Sequence, residues 1–147
     1  MVKLVGRSSL ASVFETPQLR DHMCSLSDDE MACLLAALKA MLHGNQEKGF
    51  ESLVDNLRNA KLAKWLLITV IPNYFRSDTE VFVKPTTAKG VIDYFELDGL
   101  QYRPLPDWDY YQRYRAAIHA LKAACDPSIA PNNAAFCGFL MMAMANA

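Results

Sequence analysis

The carboxyl-terminal part of the chain carries no charged side chain after Asp126, and this constrains the fold more than any other feature. Within it, residues 134–145 read A-A-F-C-G-F-L-M-M-A-M-A and contain no polar side chain. Water disfavours such a surface, so the segment is predicted to pack into the core, against another chain or onto a membrane surface. The membrane option is the weakest, because interfacial helices usually carry Lys or Arg on one face.

A contact between chains would use the large apolar side chains of this segment. The residues predicted to form an oligomer interface are Phe136, Phe139, Leu140, Met141 and Met144. Methionine is flexible and polarisable, so Met-rich surfaces adapt to varied partners. Three interpretations of the segment therefore remain: a core helix, a homodimer interface, or a helix docked in the groove of a partner.

Length and composition predict a single globular domain over residues 1–147. The chain has 147 residues, of which 52% are hydrophobic and 21% are charged, and its formal net charge is −1. A chain of this length buries enough surface to fold without a disulfide or a metal. A net charge near zero argues against a large electrostatic footprint for DNA or RNA.

The sequence predicts a cytoplasmic protein with no membrane anchor. Residues 1–13 lack the apolar run of a secretory signal, and no stretch reaches the roughly 18–20 apolar residues of a spanning helix. The cysteines show no C-x-x-C spacing, so reduced thiols are expected and a disulfide framework or zinc site is not. They are Cys24, Cys33, Cys125 and Cys137.

Capping signals predict about five helices. Ser27 and Glu30 form a capping box, which starts a helix that ends before Gly44. An alanine-rich side opposes the apolar stripe of this helix, so we expect it to be covered on more than one side. The same signals predict helices from Thr16-Pro17 to about Cys24, over about 47–59 after Asn45, from Trp108 to about Cys125 after Asp107, and through the charge-free segment.

The middle of the chain changes character and predicts strands. Residues 79–84, 91–97 and 100–103 are rich in β-branched and aromatic side chains, and Asp98-Gly99 between the last two is a strong hairpin signal. The expected fold class is therefore α+β, with the helices packed on a small three-stranded antiparallel sheet. Residues 65–71 form an apolar run that fits either a helix or a buried strand.

Aromatic and arginine side chains are concentrated between residues 102 and 115. This composition is typical of binding hot spots, because such side chains bury a large area and keep a polar group. The residues predicted to bind a partner are Tyr102, Arg103, Trp108, Tyr110, Arg113 and Arg115. The alternative is structural: the tyrosines cover the sheet, and the arginines pair with Asp107, Asp109 or Glu96.

A second basic set consists of Arg58, Lys61 and Lys64, spaced three residues apart. On a helix these side chains would share a face, which usually is a solvated surface. Together with the three arginines of the aromatic set, they would form a nucleic-acid site if all six converged on one patch.

Motifs for catalysis or cofactor binding are missing from the sequence. It contains no phosphate-binding loop, dinucleotide fingerprint, nucleophile elbow or H-E-x-x-H motif. His119 and Cys125 lie on one predicted helix, roughly 9 Å apart along its axis, which is too far for a hydrogen bond. We therefore expect no metal and no cofactor.

The favoured function is that of a small regulatory protein, of the adaptor or inhibitor type, acting by protein–protein contact with a partner or a second copy of itself. A nucleic-acid-associated regulator is the alternative. A small enzyme without a recognisable motif is the third class.

Overall fold

The computed structural model describes residues 15–145, and the regular secondary structure in that range is entirely helical. It comprises seven α-helices and one short 3-10 turn. The helices are α1 (Glu15–Ser25), α2 (Asp28–His43), α3 (Gln46–Arg58), α4 (Trp65–Phe75), α5 (Pro85–Tyr94), α6 (Trp108–Ala123) and α7 (Asn133–Ala145). The 3-10 turn, Pro127–Ile129, precedes α7.

Helix α4 lies at the centre of the core. From Trp65 to Asn73 its residues are buried, apart from the half-buried Leu66. A helix that is apolar on all sides is stable only when other elements surround it, and α2 and α3 both pack on α4. The run at 65–71, for which the sequence left helix and strand open, is therefore a helix.

The predicted α+β fold with a three-stranded sheet is wrong, and the strand expected at 91–97 shows why. Helix α5 begins at Pro85, a residue favoured in the first helical turn, and runs through most of that range. Its buried residues Thr87, Ala88 and Val91 recur at helical spacing. Strand preferences span only about 1 kcal/mol, so the packing of this helical face outweighs them.

The segment predicted as a strand at 79–84 has no regular secondary structure after a turn that ends at Thr79, and it crosses the core with no strand beside it in residues 15–145. Val81 and Val83 are fully buried, and their backbone N–H groups donate to side chains. The N–H of Val81 donates to the Tyr111 hydroxyl at 3.3 Å, and that of Val83 donates to the Thr69 hydroxyl at 3.0 Å. Helices α6 and α4 thus supply the acceptors that a sheet would otherwise provide.

Residues 100–103, the third predicted strand, likewise have no regular secondary structure and pair with no strand in the described range. The carbonyl of Arg103 accepts a 2.6 Å bond from the indole N–H of Trp65. Gly99 has a φ of +74°, which a residue with a side chain rarely adopts. The predicted Asp98-Gly99 turn is therefore present. It connects α5 to residues 100–103, and it does not connect two strands.

Helix α3 ends in a Schellman motif that has no glycine. Lys61 adopts the left-handed conformation, with a φ of 58°, and the N–H of Leu62 donates back to the carbonyl of Leu57. Both leucines are buried, which is the apolar contact typical of this helix ending. Because α3 ends at Arg58 and α4 starts at Trp65, the basic residues at 58, 61 and 64 do not share a helix face.

Helices α2 and α3 form a tight hairpin, and their predicted caps are confirmed. The Ser27 hydroxyl accepts from the N–H of Glu30, whose carboxylate accepts from the N–H of Ser27 at 2.8 Å. The Asn45 side chain caps α3. Gly49 lies so close to the backbone of Met41 that a β-carbon would overlap it.

The expectation that α2 is covered on more than one side is wrong. Leu34, Ala37 and Met41 form a single buried stripe, whereas Cys33, Leu35 and Ala36, around the rest of the helix, are exposed. The alanine side chains on the exposed part of the helix are small, so little apolar area remains in contact with water.

Helix α7 packs on α5 and α6 and buries one narrow stripe, Phe136, Cys137 and Leu140. Burial raises the pKa of the Cys137 thiol to about 12, so the thiol is neutral and packs as an apolar group. Within residues 15–145, α7 and every other helix is too short or too polar to cross a lipid bilayer.

We expect Gly49→Ala to destabilise the protein by about 2 kcal/mol or more, because the added methyl group overpacks the α2–α3 crossing. Gly138→Ala is the matched control, since a β-carbon at Gly138 meets no atom within 4 Å. The control should be neutral or stabilising by up to about 1 kcal/mol through helix propensity. Urea denaturation followed by circular dichroism measures both, and equal effects of the two variants would contradict the close packing.

Glycine at the left-handed helix ends should stabilise the fold. Glu96 occupies the same place after α5 as Lys61 after α3, with a φ of 46°, and the N–H of Leu97 donates to the carbonyl of Ile92. Glycine relieves about 1–2 kcal/mol of left-handed strain and costs about 0.5–1 kcal/mol in unfolded-chain entropy. Lys61→Gly and Glu96→Gly should each gain about 0.5–1 kcal/mol in the same urea assay.

The control for these two variants is Lys39→Gly, at an exposed position within α2. It should lose about 0.5–1 kcal/mol, because glycine is a poor helix former. A loss of stability in all three variants would argue against left-handed conformations at Lys61 and Glu96.

Candidate functional site

A buried carboxylate, that of Glu80, lies at the centre of the polar interior and is only 2% exposed. The Gln46 amide and the Tyr111 hydroxyl each donate to its Oε2 atom at 2.8 Å. The Arg115 guanidinium lies 3.1 Å from the same oxygen and forms an ion pair with it. A buried carboxylate is tolerated only when it is paired and hydrogen-bonded, and these three side chains meet that requirement.

Tyr111 connects Glu80 to the backbone of the 79–84 segment. Its hydroxyl donates to the Glu80 carboxylate and accepts from the N–H of Val81. Burial, together with the neighbouring carboxylate, raises the pKa of Tyr111 far above its ordinary value, so the hydroxyl keeps its proton. The Arg115 guanidinium stacks over the Tyr111 ring at 5.3 Å from its centroid and over the Trp108 ring at 5.7 Å.

Asn133, the first residue of α7, holds the other side of the same segment. Its backbone N–H donates to the Ser77 carbonyl, and its side-chain amide donates to the Glu80 carbonyl, both at 3.0 Å. The Oδ1 atom of Asn133 accepts from the Lys122 ammonium at 3.3 Å. These bonds orient the Asn133 amide and set where α7 begins.

A cleft of about 450 Å³ opens beside Asn133, between α6, the 3-10 turn and the start of α7. Its polar wall contains Asp78, His119, Lys122 and Asn133. The Nε2 atom of His119 lies 3.0 Å from the Thr79 carbonyl and 3.2 Å from the Asn133 amide nitrogen. The volume lies in the range of small-molecule sites, so this cleft is the candidate functional site.

The cleft has apolar walls at its other side. Phe136 is fully buried and forms part of the lining, and Ile129 on the 3-10 turn is 40% exposed. Asp126 lies between these walls and α6, and its Oδ1 atom accepts from both the N–H and the hydroxyl of Ser128. These two bonds lower the pKa of Asp126, so the carboxylate is ionised at neutral pH.

The cleft does not have the geometry of a metal centre. Asp78, His119, Cys125 and Asp126 are all potential ligands on its lining. However, no three His, Cys, Asp or Glu side chains converge on a metal-binding position within residues 15–145. The arrangement can therefore bind charged and apolar groups, and it lacks the ligand set of a metal ion.

Among the predicted partner-binding residues between 102 and 115, the aromatic side chains are buried or half-buried, and the arginines form ion pairs with carboxylates. Tyr110 is buried and stacks on Tyr114 at 5.8 Å, and Trp108 and Tyr102 are half-buried. The arginines are paired: Arg103 with Asp107 at 2.9 Å, Arg113 with Asp109 at 3.7 Å, and Arg115 with Glu80. The chain thus brings Arg103 and Arg113 to the surface, with a carboxylate beside each.

The predicted nucleic-acid residues are placed differently. Arg58 pairs with Asp55 at 3.5 Å, and Lys61 and Lys64 lie in the loop between α3 and α4. All four arginines of the two basic sets therefore have a carboxylate within 4 Å, which reduces the positive charge that a polyanion would meet.

The predicted interface residues on α7 also divide. Phe136 and Leu140 are buried, and Met144 is half-buried, with its side chain beside Gly90 of α5. Phe139 and Met141 are 38% and 43% exposed. The most exposed large side chain of the helix is Met142, at 66%, which the sequence-based set omits. We call Phe139, Met141 and Met142 the exposed α7 face.

Comparisons with known proteins add no functional information. No protein family matches this sequence, no curated protein is significantly similar to it, and no solved structure matches its fold. The support for a function therefore comes from the geometry of the chain itself.

Tyr111→Phe should destabilise the protein by about 1–3 kcal/mol, because it leaves the Val81 N–H without its acceptor and removes one of the three side chains that bond to the Glu80 carboxylate. Tyr114→Phe is the matched control: its hydroxyl is buried and finds no hydrogen-bond partner among the described residues. Removing that hydroxyl should be neutral or stabilising. Thermal unfolding followed by circular dichroism distinguishes the two, and an equal loss in both variants would contradict the bonding described for Tyr111.

Proposed function

We propose that this protein is a small regulatory protein, of the adaptor or inhibitor type, that acts by protein–protein contact through the exposed α7 face. The observation that carries the proposal is the contrast between composition and burial in α7. The helix has no charged side chain on any side, yet only one stripe of it is buried. A surface helix normally carries charged residues opposite its core stripe, so an exposed face without them is typical of a contact surface.

The first partner in this proposal is a second copy of the chain. Two identical charge-free faces can meet about a two-fold axis without placing like charges opposite each other. Phe139 and Met142 are three residues apart and project from the same side of the helix, which suits them as paired anchors. The rings of Phe139 and the buried Phe136 stack with their centroids 6.0 Å apart, so a rigid core residue supports one anchor.

A helix of this length, about 20 Å, is too small to supply the roughly 800 Å² that each partner buries in a standard interface. The neighbouring helix α5 can extend the surface. Lys84 contacts Met141, and Gly90 faces Met144, so α5 and α7 run in the same direction. Tyr94, which is 56% exposed at the end of α5, therefore lies toward the same end of the molecule as the carboxyl end of α7.

A nucleic-acid-associated role is less well supported, because each arginine that it would use has a carboxylate beside it. The four cysteines are free thiols, which fits the cytoplasmic location that we propose for the protein.

Sedimentation velocity tests the proposed dimer. The wild-type protein should sediment as a dimer at concentrations of roughly 10–100 µM, and Phe139→Glu or Met142→Glu should weaken dimerisation at least about tenfold, because each buries an unpaired charge. Leu35→Glu is the control, since Leu35 is 50% exposed on a different helix. It should leave dimerisation unchanged.

A wild-type protein that stays monomeric at about 100 µM would contradict self-association. Equal weakening by Leu35→Glu would place the contact elsewhere. All three substituted positions are exposed, so their thermal unfolding should match that of the wild type and exclude misfolding as the cause.

A further inference from the structure

The cleft beside Asn133 holds charges of both signs that lack a partner of opposite sign among the described residues. The Lys122 ammonium donates to the neutral Asn133 amide, and no carboxylate in residues 15–145 lies within salt-bridge distance of it. Asp78, exposed on the same lining, likewise pairs with no cation in that range. An ammonium has three donors, so Lys122 keeps two for a ligand.

The charges stand next to an apolar wall. Phe136 and Ile129 both line the cleft, and Pro127, the first residue of the 3-10 turn, and Pro131 add to the same wall. Ile129 is 40% exposed, so a ligand that covered it would remove apolar surface from water.

The charges of both signs, together with the apolar wall, favour some classes of ligand over others. A simple anion would be attracted by Lys122 but repelled by Asp78 and Asp126, and a simple cation would meet the reverse. A purely apolar ligand would desolvate all three charges without compensation, which is costly. A ligand with a carboxylate, an ammonium and an apolar side chain offers a partner to Lys122, to one of the two carboxylates and to the apolar wall.

We propose that the cleft binds a small zwitterion with an apolar side chain, that is, an apolar amino acid or a short peptide. Its carboxylate pairs with Lys122, its ammonium pairs with Asp78 or Asp126, and its side chain packs on the exposed Ile129 of the apolar wall. The volume of about 450 Å³ accommodates either source. This proposal does not rest on the exposed α7 face or on the proposed dimer.

Contacts with the core hold Lys122, the residue proposed to pair with the carboxylate of the ligand. Asn133 accepts from Lys122 and donates to the Glu80 carbonyl, so the ammonium is tied to the rigid 79–84 segment. A positioned cation loses less side-chain entropy on binding than a free surface lysine does.

Titration of the full-length protein with defined probes tests the ligand class. The probes are L-leucine, the dipeptide leucyl-leucine, and two half-ligands: 4-methylpentanoate, which lacks the ammonium, and 3-methylbutylamine, which lacks the carboxylate. Calorimetry and amide chemical shifts should report binding of leucine or the dipeptide with a Kd of roughly 0.1–5 mM. Each half-ligand should bind at least about tenfold more weakly, because half of the ion pairing is lost. The tighter of the two zwitterions identifies the source.

Variants locate the binding site. Lys122→Met keeps the aliphatic stem and removes the charge, and it should weaken leucine or dipeptide binding by roughly tenfold to a hundredfold. Asp78→Asn should weaken binding in the same direction. Lys39→Met, an exposed lysine on α2, is the charge-matched control and should leave binding unchanged.

Three outcomes would overturn the proposal: no binding of either zwitterion at about 10 mM, half-ligands that bind as tightly as leucine, or a Lys122→Met variant that binds like the wild type. A Lys122→Met protein that unfolds is replaced by Asp78→Asn, whose exposed side chain has no structural partner in the described range. Unchanged binding in that folded variant, with chemical shifts outside the cleft, would equally reject the site.

Discussion

The carboxylate of Glu80 is buried inside a helical protein, and much of the surrounding structure follows from the need to satisfy it. Gln46 brings in the start of α3, and Tyr111 and Arg115 bring in α6. The partners come from elements distant in sequence, so the carboxylate is satisfied only when these elements are assembled. Because an unpaired buried carboxylate would be costly, this requirement favours one specific arrangement of the helices around the 79–84 segment.

The same segment also determines where α7 begins, and so links the core to both proposed sites. Asn133 bonds to the backbone of Glu80 in the segment and of Ser77 just before it, while its side chain orients Lys122 in the cleft. The bonds of Asn133 determine how α7 is rotated about its own axis. Side chains three and four residues apart share a helix face, so this rotation decides which residues face the core. Phe136 and Leu140 therefore turn inward, and Phe139 and Met142 turn to the surface.

Local signals predicted five of the seven helices in residues 15–145, but they left α4 undecided and predicted strand over much of α5. The predicted sheet is wrong for a reason that local signals do not contain. The caps at Ser27, Asn45 and Asp107 are formed as expected, because a capping side chain bonds to backbone only three residues away. The strand-like composition at 79–84 predicted a strand, and residues 80–83 are instead a buried segment without strand structure. It could not reveal that hydroxyl groups from α4 and α6, and not another strand, would bond to its backbone. For the aromatic and arginine set, the alternative in which Asp107 and Asp109 pair with arginines describes the arrangement seen.

The sequence by itself determined the capped helix starts at Ser27, Asn45 and Asp107, the apolar surplus of the carboxyl-terminal segment and the lack of any recognisable catalytic motif, because each depends on residues close together in the chain. Only the tertiary structure decided that α4, and not the charge-free α7, is the central helix. It also decided that Glu80 would be the buried charge and that Asp78 and Lys122 would line the same cleft as an apolar wall. These properties depend on which residues, distant in sequence, pack together in the core. The free energy that decides this packing comes from the whole core and not from any single segment.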